Sequence, residues 1–344
     1  MADSQFSGLI LVDKPKDITS FSVISRLRVL TGIKKIGHCG TLDPFATGLL
    51  PVVFGRYTRL AKYIEGQTKH YFVRFVLGKA TDTQDLTGKV IAEVDNKTLT
   101  ARILSGELEK SLNDSLEQNF LGEIEQTPPM YSAIKIKGKP LYKYARAGQE
   151  VERKKRQVFI YSAKLGPLVK INDEWEIEAK IHCSKGTYIR TLVDDLAKSV
   201  KCLAYTKELR RVQIGNLNIN HNPVDLDELF DLFNSNNRDK SLIKNILTEQ
   251  FFYPIEQAMQ DFPFYVLNSK QLIDVSYGRK ILLDPVQIET RYSHAKTNLE
   301  SDIIRLNYQN EIIALAKINP QTLEFEGYEK VLYTNQDLKN LFND

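Results

Sequence analysis

The chain has 344 residues, 42% of them hydrophobic and 26% charged, with a net charge of +4 at pH 7. That length exceeds one ordinary domain and suggests a large core domain plus a small one, and the composition is that expected of a soluble globular protein. Its apolar runs fall short of the roughly 20 residues a membrane helix needs, and Cys39, Cys183 and Cys202 make neither a disulfide framework nor a C-x-x-C pair.

The N-terminus, Met-Ala-Asp-Ser-Gln-Phe, lacks the basic and apolar regions of a signal peptide. The expected compartment is therefore the reducing cytoplasm. Gly8 to Asp13 reads as a buried strand, broken by Lys14 and Pro15. Thr19 or Ser20 caps a helix with Phe21, Val23, Ile24, Leu27 and Leu30 on its apolar face, and Gly32 ends it. Residues 37 to 51 follow: Gly-His-Cys-Gly-Thr-Leu-Asp-Pro-Phe-Ala-Thr-Gly-Leu-Leu-Pro. Three glycines and two prolines there forbid a regular element through the middle. His38, Thr41, Asp43 and Thr47 are its polar residues, and Leu49 to Phe54 run on as a buried strand.

Asp43 is thus a single carboxylate on a sharply turned loop against an apolar floor. Burial disfavours its charged form, so it needs a fixed cation to stay ionised. A carboxylate held that way can act as a nucleophile. An Asp-Pro pair also commonly starts a helix, and this stretch alone leaves both readings open.

A short helix is expected near Arg56 to Ile64; its Arg59 can reach a phosphate or remain a solvated charge. Tyr71, Val73, Phe75 and Leu77 alternate as one face of a strand. Residues 80 to 88 read as a polar loop containing Asp85, and 98 to 112 as an amphipathic helix. Between 128 and 156, nine Lys or Arg stand against two Glu, a local charge of +7. Lys135, Lys137, Lys139, Lys143, Arg146 and the run Arg153 to Arg156 interleave with Tyr131, Tyr142 and Tyr144. Cations mixed with aromatics suit phosphates and exposed bases; a solvated basic face is the alternative.

Trp175, Ile177, Ala179, Ile181 and Cys183 alternate with Glu176, Glu178, Lys180 and His182 as a half-buried strand. Residues 184 to 186 turn the chain into a helix with Ile189, Leu192, Val193, Leu196, Ala197 and Val200 on one stripe. Tyr188 and Arg190 leave that junction two positions apart. A short helix at Leu226 to Phe233 leads into a polar linker at 234 to 240. The last ~90 residues carry short apolar runs between turn signals, as a small β-rich domain does. Residues 254 to 344 hold nine basic and thirteen acidic side chains.

None of the five histidines pairs at i+3 or i+4 with another His or a Cys. The H-x-E with P-C-x-x-C of a zinc deaminase is missing, as are the glycine-rich phosphate and dinucleotide loops. No metal and no cofactor is expected. Strands and helices without βαβ regularity favour α+β.

Residues 37 to 51, together with His182-Cys183-Ser184-Lys185-Gly186-Thr187-Tyr188-Ile189-Arg190-Thr191, resemble the TruB family of tRNA pseudouridine synthases. The resemblance is dense from residue 8 to about 215 and looser beyond. It implies a mixed, largely antiparallel central sheet flanked by helices, the pseudouridine synthase fold, with a small C-terminal PUA-like domain. The expected division is 1–250 for the catalytic domain and 251–344 for the PUA-like domain, with 120–156 as an RNA-gripping thumb insertion. The implied activity is isomerisation of uridine-55 in the tRNA T-loop. Asp43 is then the nucleophile and Arg190 its ion-pair partner. Tyr71, in Lys69-His70-Tyr71, stacks on the base and is a candidate for moving a proton. Tyr188 lines the pocket, His38 and Leu209 contact the substrate, and Asp85 supports the site. The partner is the T-arm of tRNA, and the chain is expected to be a monomer. Two rivals from other classes are an RNA N-glycoside hydrolase and a non-catalytic tRNA-binding or folding protein.

Overall fold

The computed structural model describes residues 6–132, 134–136, 138–292, 302–335 and 337–338. Lys137, one cation of the basic run, and His294 lie outside them.

Strand β1 (Gly8–Lys14) is buried on both faces apart from Asp13, as its unbroken apolar sequence requires. Thr19 caps α1 (Ser20–Thr31) by accepting from the Ser22 amide, and the helix ends at Gly32. Val23, Ile24, Leu27 and Leu30 are buried, but Phe21, expected on that face, is 64% exposed. The inward position there belongs to Ser20, whose hydroxyl accepts from the Leu42 amide at 2.9 Å. Strands β2 (Ile36–His38) and β3 (Thr47–Phe54) bracket the Asp43 loop. A 3-10 turn at Gly55–Leu60 and helix α2 (Ala61–Glu65) fill the place of the short helix.

Strand β4 (Lys69–Leu77) is followed by a hairpin of β5 (Lys79–Thr81) and β6 (Val90–Glu93). The loop expected at 80–88 is therefore the hairpin's connection plus the end of its first strand. The single helix expected at 98–112 is two, α3 (Asn96–Leu104) and α4 (Glu107–Asn119). Between them Ser105 and Gly106 close one helix and open the next. Edge strand β7 (Gly122–Gln126) leads into the basic insertion, which holds β8 (Lys135–Ile136), β9 (Lys139–Pro140) and α5 (Leu141–Arg146). The chain returns through the long β10 (Arg156–Ile171), then β11 (Glu174–Cys183), α6 (Ile189–Ser199), β12 (Ala204–Ile214) and β13 (Leu217–Asn218). Glu176, expected on the wet face of β11, is only 1% exposed because Lys207 lies over it at 2.6 Å. Helices α7 (Leu226–Ser235) and α8 (Lys240–Ile246) precede β14 (Phe252–Tyr253).

The large sheet runs β14-β1-β3-β12-β4-β11-β10-β7, with β2 beside β3 and β13 beside β12. All its pairings are antiparallel except β3 with β12, where Thr47 faces Arg210 and Gly48 faces Arg211. That parallel contact brings the end of the Asp43 loop against β12. The last elements are α9 (Ile255–Ala258), β15 (Phe264–Val266), α10 (Ser269–Ser276), α11 (Pro285–Tyr292), β16 (Ile303–Tyr308), β17 (Glu311–Ile318) and β18 (Phe325–Val331). Here β15 to β18 form a separate four-stranded sheet in that order. The protein is thus α+β, with a large, mostly antiparallel sheet and a small C-terminal β domain.

Leu42, Phe45 and Ala46 of the loop bury into a core with Val73, Phe75, Ile181, Ile189, Leu192 and Leu209. This is the apolar floor on which Asp43 stands. The C-terminal sheet shares another core with the first half of the chain, where Tyr57, Leu60, Tyr63 and Ile64 pack with Ile255, Met259 and Phe262.

Candidate active site

Asp43 meets Arg190 as an ion pair, with Oδ2 2.9 Å from Nε. The α6 stripe that buries Ile189, Leu192 and Val193 also turns Arg190 inward, leaving it 3% exposed. Arg190 spends its remaining donors on fixed acceptors. Nη1 donates to the Thr83 carbonyl at 2.7 Å and to Asp85 Oδ2 at 3.2 Å, and Nη2 to the Tyr131 carbonyl at 2.8 Å. A buried guanidinium with each of its three nitrogens engaged is held against Asp43. The Tyr131 carbonyl belongs to the basic insertion, so that insertion is tied to the same cation.

Asp43 keeps a third of its side-chain surface open to solvent, while Leu42 and Phe45 on either side of it are buried. Desolvation dominates and lifts its carboxyl above the usual range; Arg190 is the main opposing influence, Asp85 adds to the rise and Lys14 opposes it. Asp85 is 4% exposed and fully occupied. Its Oδ1 accepts from the Thr83 hydroxyl at 2.8 Å and from the Thr87 amide and hydroxyl at 2.9 and 2.6 Å. Its Oδ2 lies 3.2 Å from Arg190 Nη1, a fixed counter-charge behind that guanidinium.

Tyr71 enters from β4 on the same face as Val73 and packs against the floor. Burial pushes its phenol up, with the Arg211 guanidinium as the chief opposing charge and Asp43 close enough to add to the rise. Tyr188 caps α6, and its hydroxyl also feels Asp43 and Arg190. Gln126 holds Tyr188 by both ends of its amide: Oε1 accepts from the Tyr188 amide at 3.0 Å and Nε2 donates to its carbonyl at 3.3 Å. Leu209 is 6% exposed within the floor. His38 is half-buried on β2, its Nδ1 is buried without a partner, and burial pulls its imidazole down. The fold thus gathers Asp43, Arg190, Asp85, Tyr71 and Tyr188 into one electrostatically connected site, with Leu209 beneath it and His38 at the foot of the loop.

Arg59, left open between a phosphate contact and a solvated charge, donates to the Val331 carbonyl of β18. It fastens the C-terminal sheet. In the basic insertion, Lys139 lies 4.3 Å over the Tyr144 ring and Arg146 5.6 Å over Tyr142. Cations and rings there stack on one another.

Two site residues escape sequence reading. Lys14 is fully buried, and its ammonium donates to the Ile18 carbonyl at 2.7 Å, Pro15 at 2.9 Å and Pro44 at 3.1 Å. Burial pulls it down to about 8, against the attraction of Asp43. Arg211 is 1% exposed and binds carbonyls on both sides of Asp43. One signal for it existed: Arg211 lies two positions from Leu209 on one strand, hence on the same inward face. Among the described residues no cluster of three His, Cys, Asp or Glu is placed to hold a metal, and no helix is long and apolar enough to cross a membrane.

A mostly antiparallel sheet with a carboxylate and a guanidinium paired at the mouth of its core is the architecture of a pseudouridine synthase. A solved complex titled Cbf5-Nop10-Gar1 matches this fold with a TM-score of 0.65 at 20% identity over 97% of this chain and 87% of that one. The model of the TruB family pseudouridylate synthase N-terminal domain matches residues 28–189, and that of the tRNA pseudouridylate synthase B C-terminal domain matches 190–260. The tRNA pseudouridine synthase B of Clostridium tetani is 36% identical over 311 residues, 90% of this chain and 95% of the relative. That of Buchnera aphidicola is 37% identical over 319 residues, 92% of this chain and 93% of the relative. The chain belongs to the TruB family.

Proposed function

We propose that the protein is a tRNA pseudouridine synthase that isomerises uridine-55 in the T-loop, with Asp43 as nucleophile. The observation that carries this reading is the 2.9 Å Asp43–Arg190 pair, formed between the two motifs that carry the family resemblance. The target base leaves its stack at a cost of a few kcal/mol, offset by contacts in the pocket. Tyr71 and Tyr188 flank the base, and Tyr71 is the hydroxyl available for proton movement. Asp43 acts on the ribose, the N1–C1′ bond breaks, uracil turns, and C5 bonds to C1′. The C5 proton is lost and N1 gains one, so the product keeps the substrate's mass. Arg190 serves this by holding Asp43 as the anion against desolvation.

Residues 120–156 grip the T-arm and 251–344 act as a PUA-like module. His38 and Leu209 meet the substrate, the former near the extruded nucleotide. The protein works as a monomer in the cytoplasm, without metal or organic cofactor. The test is incubation with an unmodified tRNA transcript, then nucleoside analysis and mapping of the modified position. Pseudouridine at position 55 is expected. Release of free uracil assigns the chain to hydrolysis; tight binding with unchanged nucleosides assigns it to a non-catalytic role; either result overturns the proposal.

A further inference from the structure

A buried guanidinium normally faces a carboxylate, because an unpaired charge in the core is costly. Arg211 is 1% exposed, yet among the described residues it forms no ion pair within 4.0 Å. Backbone carbonyls take that place. Nε donates to Leu49 at 2.9 Å, Nη2 to Gly40 at 2.9 Å, and Nη1 reaches Thr41 at 3.5 Å. These acceptors stand on both sides of Asp43, at the two feet of its loop. The same guanidinium is the chief charge opposing the rise that burial gives the Tyr71 phenol. Tyr71 is also the β4 residue paired with Arg211 across the sheet. The foot of the loop is also packed hard on β12: at Gly48, with φ +98, any Cβ would come within 2.3 Å of the Arg211 carbonyl oxygen.

Building on the activity proposed above, we infer that Arg211 is a positioning residue, the rigid strut that sets the Asp43 loop against the Tyr71 ring. One planar fork spans acceptors that no single shorter or rounder cation reaches together. Its charge, held by carbonyl oxygens, faces the Tyr71 ring from the paired strand position. Arg190 fixes the carboxylate itself; Arg211 fixes the backbone that carries it.

The experiment compares wild type, Arg211→Lys, Tyr71→Phe and the double variant on a tRNA transcript. Wild-type turnover in the same assay establishes the activity separately from this inference. Lysine keeps the charge but cannot bridge the Gly40 and Leu49 carbonyls. A displacement of about 1 Å costs about 100-fold, so Arg211→Lys is expected to lower kcat about that much. KM for tRNA stays within about twofold, since the strut serves alignment rather than uniform binding. In the Tyr71→Phe background the same substitution costs about tenfold less, because contacting residues couple by up to a few kcal/mol. A merely structural arginine lowers the fraction of folded protein without this coupling. Arg211→Met, which keeps the core filled, gives the same comparison where lysine does not fold. The inference is overturned by kcat within about threefold of wild type in folded variants. It is equally overturned by a loss confined to KM, or by losses that add without coupling to Tyr71.

Discussion

Replacing Arg190 with methionine tests the electrostatic core of the site. Methionine matches the stem but supplies no donor. Four contacts vanish together: Asp43 at 2.9 Å, Asp85 at 3.2 Å, and the Thr83 and Tyr131 carbonyls at 2.7 and 2.8 Å. Breaking a buried pair from one side costs about 3–5 kcal/mol; the third of Asp43 open to solvent places the expectation near the lower end, about 3 kcal/mol. Unfolding a chain of 344 residues carries an entropy of about 0.7 kcal/mol/K, so Tm falls by roughly 4 °C. The effect on chemistry is larger. Asp43 already titrates above the ordinary carboxylate range through burial, with Arg190 the main influence holding it down. Without Arg190 its pKa rises further, and less of the enzyme carries the anion at neutral pH. The acidic limb of kcat/KM therefore moves to higher pH, and kcat at pH 7 falls by at least about 100-fold, charge and alignment being lost together. Pseudouridine formation on a tRNA transcript, measured between pH 5 and 9, reads both. An acidic limb in its wild-type place, with kcat within about threefold, refutes the ion-pair reasoning.

Asp43→Asn abolishes pseudouridine formation while T-arm binding persists, read by nucleoside analysis beside a filter-binding curve. Its Tm falls less than that of Arg190→Met: Asp85 still faces Arg190, and the folded pKa of Asp43 is raised, so its charged form opposes folding at neutral pH, an opposition that fades as pH drops through the folded value toward the unfolded one. Gly48→Ala forces a Cβ to 2.3 Å from the Arg211 carbonyl oxygen at φ +98, so thermal melts show destabilisation and turnover collapses. Lys154→Ala and Lys155→Ala each weaken tRNA binding and flatten its salt dependence by about 0.7–0.9 per lost phosphate contact; an unchanged slope removes the insertion from the RNA interface. Truncation after Tyr253 strips Ile255, Met259 and Phe262 from the core they share with Tyr57, Leu60 and Tyr63. The expected result is a lower Tm for the whole chain, and a truncated protein melting like the full chain contradicts the shared core.

Features with a local cause were legible along the chain. Alternation gave β4 and β11 their inward faces, Thr19 and Gly32 bounded α1, and the crowd of glycines and prolines marked the Asp43 loop. The same local signals failed where a neighbour overruled them. Phe21 stays outside because Ser20 bonds to Leu42, and Glu176 goes inside because Lys207 covers it. Through the two matched runs the sequence also named Asp43 and Arg190 as partners, 147 positions apart. Only the tertiary structure decided what holds that pair in place. Lys14, Arg211 and the Tyr131 carbonyl work through backbone oxygens. Every residue carries such an oxygen, so no side-chain pattern announces which ones will meet a buried cation. For Arg211 the parallel contact of β3 with β12 chooses them, and that contact depends on the whole sheet being assembled.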